Sequence, residues 1–209
     1  MTRVQRWQIG DVRVTKVTEI EVPGPATWIL PQATPENLAR ETWLQPHFAD
    51  ARGAAIMSVH ALVLEIRDRR VLVDTCIGND KHLAIPNWSE RKGPFLEELA
   101  EAGHPASEID TVVCTHLHVD HVGWNTRLVD GRWVPTFPNA RYCFGKAEFE
   151  YWDGLGQDDF GDVMGESVRP VVEAGLVDFV GPDHALCDEI RLEPTPGHTP
   201  GHASVRIRS

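Results

Sequence analysis

Three imidazoles and one carboxylate fall within the six residues His116-Leu117-His118-Val119-Asp120-His121. Imidazole nitrogen and carboxylate oxygen together form a ligand set suited to zinc or a similar transition metal. Buried without an ion, four such groups would each need a separate hydrogen-bond partner. A metal site is therefore the leading reading, ahead of a solvated or redox-inert patch. The apolar run Val112-Val113-Cys114 just before the group reads as a buried strand that delivers it to a carboxyl end, where open α/β sheets place their chemistry. His116 and His118 can face one centre while Asp120 and His121 reach a second position beside it.

Two other stretches bear on that site. Val71-Leu72-Val73-Asp74 ends an apolar strand on a carboxylate. Asp74 there either orients a metal-bound histidine through a hydrogen bond or caps a turn. Thr195-Pro196-Gly197-His198-Thr199-Pro200-Gly201-His202 follows the alternating run Ile190–Pro194. Its two Pro-Gly pairs hold His198 on a defined loop at a strand end.

The elements that must position these residues are legible from periodicity. Val12–Val22 alternates as an edge or near-edge strand and is stopped by Pro23-Gly24-Pro25. Residues 27–51 form a long excursion with a short helix near 35–42. Its Trp28, Leu30, Trp43, Leu44 and Phe48 either line a pocket mouth or pack over the core. His60–Ile66 and Val71–Thr75 make a hairpin around the polar tetrad 67–70, and His82 and Trp88 on the loop that follows are candidates to face a substrate. An amphipathic helix over 94–102 stops at Gly103 and leads into the strand Thr111–Cys114. Asp130-Gly131 marks a turn between extended pieces, Ala140–Phe144 is a strand, and 146–152 is helical with packed apolar members. Residues 153–167 read as a mobile surface segment, 168–174 as a helix, and Leu176–Val180, Ile190–Pro194 and Ala203–Ile207 as strands.

Bulk composition narrows the function classes. A chain of 209 residues supports one substantial core, so a single domain over 1–209 is expected. The formal charge of -11, from 31 acidic and 20 basic side chains, argues against nucleic acid and anionic membrane as partners and favours a small neutral or weakly charged substrate. Met1–Trp7 lacks a secretory signal's apolar segment, and no stretch approaches the roughly 18 apolar residues of a membrane span, so a cytoplasmic location is expected. Cys76, Cys114, Cys143 and Cys187 form no Cys-x-x-Cys pair, and Cys114 reads as a small buried hydrophobe.

His116-x-His118-x-Asp120-His121 together with the later Thr195–His202 element resembles the metallo-β-lactamase-fold hydrolase superfamily. In appearance the chain is nearest its quorum-quenching lactonase and organophosphate hydrolase-like members, over essentially its whole length. The motifs are specific for the superfamily and for metal, and weak for substrate. The resemblance implies an α/β fold of the αβ/βα sandwich type, two mixed sheets face to face with helices outside. It implies that His116, His118 and His198 hold a first metal ion and that Asp120 and His121 contribute to a second. Asp74 would support the site and His202 would make a structural hydrogen bond. Zinc, two ions in a complete site, is the implied cofactor, with iron, manganese or cobalt as alternatives.

The family's metal-bridging Asp and a further His would fall beyond Ser209. The expectation is therefore a sandwich incomplete at its carboxyl side, which a complementing chain or a homo-oligomer could complete. The implied reaction is attack by a metal-bound hydroxide on a lactone or related ester, with Asp120 positioning water and assisting proton transfer. No side-chain nucleophile is required, and no Gly-x-Ser-x-Gly elbow is present. Organophosphate, thioester or β-lactam hydrolysis is the enzymatic alternative. A non-catalytic metal-binding scaffold and an iron-dependent thiol dioxygenase belong to other classes; bound metal without turnover would mark the first, and oxygen consumption with a thiol the second.

Overall fold

Along a strand, successive side chains point to opposite faces, so a strand covered on both sides must be apolar at every position. Val71-Leu72-Val73 of β4 (Arg69–Val73) and Val112-Val113-Cys114 of β5 (Thr111–Cys114) have that character, and all six are buried. The neighbours of these two strands in a seven-stranded sheet are β1 (Val4–Ile9), β2 (Val12–Gly24) and β3 (Ala55–Ile66) on one side. The computed structural model describes residues 4–156 and 159–208. Residues 1–3 of the amino-terminal stretch and 157–158 of the 153–167 segment lie outside the described residues.

The remaining elements follow in chain order. After β5 come the short hairpin β6 (Thr126–Val129) and β7 (Arg132–Pro135), then β8 (Arg141–Gly145) and β9 (Val177–Val180), which complete the large sheet in the order β1-β2-β3-β4-β5-β8-β9. β10 (Ile190–Pro194) and β11 (Ala203–Ile207) pair antiparallel as a separate sheet. The helices are α1 (Pro35–Arg40), α2 (Phe95–Glu101), α3 (Val119–Val122), α4 (Lys146–Leu155) and α5 (Arg169–Glu173). No helix among the described residues is long and apolar enough to cross a membrane.

β4, β5, β8 and β9 run parallel, and the register sets Leu72, Val112 and Tyr142 side by side. Those three side chains share one apolar layer with Phe95 and Leu99 of α2 and Val171 of α5. One residue along, Val73, Val113 and Cys143 point the other way and meet Ile190, Leu192 and Ala203 of the small sheet. Helices therefore cover one face and the β10-β11 hairpin the other, a mixed α/β sandwich. Each fully buried Leu, Val or Phe side chain contributes about 1.5–3 kcal/mol to holding those layers together.

Parallel order also brings the carboxyl ends of β4, β5 and β8 to one edge, which delivers Asp74, Thr115-His116 and α4 to the same place.

Several elements depart from the sequence reading. β1, which the sequence reading did not include, is the edge strand, so that β2 takes the near-edge place expected of it. β2 also continues through Pro23 and Gly24, paired with Ile56 and Ala55. The turn between β3 and β4 is confined to Arg67-Asp68. Trp28, Trp43 and Phe48 do not pack into the core; they are 64%, 71% and 59% exposed. Residues 163–168 are not a mobile surface: Val163, Met164, Glu166, Ser167 and Val168 are buried, the last five residues to 168 forming a π-helical turn. Lys81, itself 1% exposed, donates to the Glu166 carbonyl at 2.9 Å and to Thr126 Oγ1 at 2.6 Å. Its ammonium also lies 3.6 Å from the centre of the Trp133 ring. The Glu166 carboxylate accepts the His82 N–H at 2.9 Å and sits 2.7 Å from His82 Nδ1, while Trp88 packs against the core.

Candidate metal centre

His116 follows β5 and is buried, 2% exposed. His118 is half-buried at the amino-terminal cap of α3, and His198 is exposed on the Pro-Gly loop between β10 and β11. One ligand nitrogen from each lies within 4.8 Å of the other two, and His118 Nδ1 is 3.0 Å from His198 Nε2. The structure thus brings together residues separated by about 80 positions in the chain. One backbone contact joins the strands these loops flank: the Ala203 N–H at the start of β11 donates to the Thr115 carbonyl at 3.0 Å.

His116 Nδ1 is 3.0 Å from Thr115 Oγ1, whereas His116 Nε2 is buried with no hydrogen-bond partner. Burial, reinforced by the neighbouring His121, His118, His202 and His198, holds His116 far below the ordinary histidine range. Burial and His198 push His118 down as well. Both shifts favour the neutral ring, which has the lone pair a metal ligand requires.

Asp120 and His121 do not join the three-imidazole group. They form a second arrangement with Asp74. His121 Nδ1 is 2.8 Å from Asp74 Oδ2, and His121 Nε2 is 3.5 Å from Asp120 Oδ2. Burial alone would lower His121, but the Asp74 and Asp120 carboxylates on its two sides outweigh it and raise it to about 10. Burial alone would raise Asp120, but the adjacent His121 overrides it and holds the carboxyl below its usual range. Asp74 sits at φ 57°, a left-handed backbone that Asp tolerates better than most residues. From there it accepts the Thr115 N–H at 2.8 Å and the Thr115 hydroxyl at 2.9 Å, tying the end of β4 to the end of β5. Ser58, His60, Asp74, Asp120 and His121 line a small cavity of about 100 Å³ beside this pair. His202 stacks at a tilt against His116, ring centres 4.9 Å apart, with its Nδ1 2.8 Å from Thr195 Oγ1.

Two buried carboxylates that the sequence reading did not single out hold these loops. Glu148 of α4 accepts backbone N–H groups from Leu117 and Gly201. Glu19 of β2 accepts the Ile77 N–H at 2.8 Å, the Gly78 N–H at 3.2 Å and the Trp124 indole at 2.7 Å, and burial raises its carboxyl above the usual range. A glutamate in an otherwise alternating apolar strand, Val17-Thr18-Glu19-Ile20, is the signal that could have marked Glu19. Gly123, just after α3, is pressed on the same loop: a Cβ there would lie 1.7 Å from the Ile77 carbonyl oxygen.

A family model described as the metallo-beta-lactamase superfamily matches residues 56–209. An N-acyl homoserine lactonase from Bacillus sp is 24% identical over 168 residues, spanning 73% of this chain and 59% of the relative. The chain thus spans less than two thirds of that relative's length. Among solved structures, hydrolase AbOPH superposes with a TM-score of 0.72 at 21% identity, over 100% of this chain and 71% of its own. AidC, a dizinc quorum-quenching lactonase in complex with its product, gives 0.67 at 21% identity, over 99% and 70%. At these identities the two structures speak to the fold.

Proposed function

The chain belongs to the metallo-β-lactamase superfamily, and we propose that it is a metal-dependent hydrolase that opens a lactone or a related small ester. The observation that carries this reading is the three-imidazole group, in which His116 Nε2 is buried and unpartnered. A buried polar atom without a partner costs about 1–3 kcal/mol, and a cation held with His118 and His198 would satisfy it. Neutral imidazole nitrogens suit zinc. Zinc held there would act as a Lewis acid on the ester carbonyl and lower the pKa of water toward neutrality.

The chain's own residues do the rest. Asp74 fixes the His121 ring through Nδ1 and leaves Nε2 turned toward Asp120. Asp120 orients the attacking water, takes its proton and returns it to the alkoxide oxygen that leaves when the ring opens. Asp120 and His121 are the nominated donors to a second ion, His121 giving up its Nε2 proton when that ion binds. With two donors against three, the second position is expected to bind more weakly than the first. Metal analysis after dialysis against graded chelator should find one tightly held equivalent and a second that is lost earlier.

The lactone preference draws on the Bacillus relative, whose name gives that activity. The zinc-loaded protein should be tested on a lactone, an organophosphate, a thioester and a β-lactam. Highest kcat/KM on the lactone is expected. Preference for another member of the panel would move the substrate, and no turnover of any would overturn the hydrolase reading.

A further inference from the structure

The three imidazoles come from two loops, one after β5 and one between β10 and β11, so some group must set the distance between those loops. Glu148 is placed to do it. It stands in the first turn of α4, where a glutamate commonly stabilises its own helix's amino terminus, yet that terminus has Gly145 as its cap and no side-chain hydrogen bond. The Glu148 side chain points instead away from its own helix, toward the two loops, and is buried, 1% exposed. Oε1 accepts the Leu117 N–H at 3.2 Å, and Leu117 lies between His116 and His118. Oε2 accepts the Gly201 N–H at 2.8 Å, on the loop that carries His198. Oε1 also accepts the Trp152 indole N–H at 2.7 Å, and that indole lies edge-on to the His118 ring with centres 5.1 Å apart. The loop can approach this closely because residue 201 is glycine: a Cβ there would fall 2.4 Å from Glu148 N and 2.7 Å from its Cα.

We infer that Glu148 is a positioning residue of the metal centre, its carboxylate fixing the separation of the two histidine loops and the orientation of His118. The inference rests on the metal-centre reading proposed above. Its consequence is that Glu148, which touches no ligand nitrogen, sets the affinity and ligand field of an ion held by His116, His118 and His198. Glutamine at this position keeps the shape but presents an amide N–H₂ to a pocket that already contains three N–H donors, so it breaks at least one of the contacts.

The test is a cobalt(II) titration of the whole chain, following visible absorption and measuring affinity against a competing chelator. Glu148→Gln is expected to keep the wild-type far-ultraviolet circular dichroism, to bind cobalt about 10- to 100-fold more weakly and to change the visible bands. Val171→Ala, a cavity in α5 facing the helical core layer, lowers the melting temperature but should leave cobalt affinity and bands as in wild type. If Glu148→Gln does not fold, Trp152→Phe deletes one of the three donors and keeps a ring against His118; altered cobalt bands are expected of it. Wild-type affinity and bands in Glu148→Gln, or unchanged bands in Trp152→Phe, overturn the positioning role alone. So does an equal loss of affinity in Val171→Ala, since affinity would then only follow stability. Failure of the wild type to bind cobalt overturns the metal-centre reading and this inference with it.

Discussion

At the scale of single residues, Asp74 does three things with one carboxylate: it holds the Thr115 backbone and hydroxyl and orients His121. Asp74→Asn keeps the size but removes the charge beside a half-buried imidazole and leaves one acceptor where there were two. The expected outcome is a loss of about 1–3 kcal/mol in stability and a fall of the His121 pKa from about 10, read by urea titration and by histidine NMR titration of the metal-free protein. A His121 that titrates as in wild type would contradict the assigned pairing. His116, His118, Asp120 and His121 were legible in the sequence because they lie within six positions, and His198 because two Pro-Gly pairs frame it. Glu148 and Glu19 were not, because what gives them meaning is distant: Leu117 and Gly201 lie 31 and 53 positions from Glu148, and Ile77 and Trp124 lie 58 and 105 positions from Glu19.

At the scale of elements, the site depends on loops that touch backbone to backbone. Gly123 donates its N–H to the Cys76 carbonyl at 2.7 Å, and the space beside it is filled by Ile77 and Gly78. Gly123→Ala must push the loop after α3 away from the loop after β4, at a cost of about 1–3 kcal/mol. Because Asp120 and His121 sit just before Gly123, the same variant should also reduce hydrolysis. A urea midpoint and a kcat/KM both unchanged from wild type would contradict this account. Apolar periodicity made β2, the β3-β4 hairpin, β5, β8 and α2 readable, since each has a face or a whole strand to bury. β1 was missed because all its residues but Val4 are exposed, so burial left no pattern in the sequence. The buried turn at 164–168 was missed because its anchors, Lys81 and His82, come from about 85 positions away, while local composition there is rich in Gly and Asp.

At the scale of the whole molecule, Lys81 couples stability to pH. Burial pulls its ammonium from the ordinary 10.5 down to about 7, against the raising influence of Glu166. Between those two values the unfolded chain binds a proton that the folded chain has released, so this group makes stability rise with pH across that window, by at most about 1.4 kcal/mol per unit. The stability of Lys81→Met relative to wild type should accordingly be greatest near pH 7 and decline toward pH 10, as read from paired urea titrations; parallel pH profiles would contradict the Lys81 assignment. The order of apolar runs gave the individual strands and the helix-to-strand unit that ends at His116, while the layered arrangement came from the family resemblance, which implied two mixed sheets where the second sheet here is the two-stranded β10-β11 hairpin. The substrate was not legible, because it is chosen by loop surfaces that periodicity does not describe. The central claim is that the three-imidazole group holds the metal on which hydrolysis depends. The most direct measurement is lactone turnover by the metal-stripped protein as zinc is added back, with His116→Ala in parallel. The account predicts no turnover without zinc, recovery as the first equivalent binds, and no recovery in His116→Ala. Turnover that survives stripping, or that returns equally in His116→Ala, would contradict it.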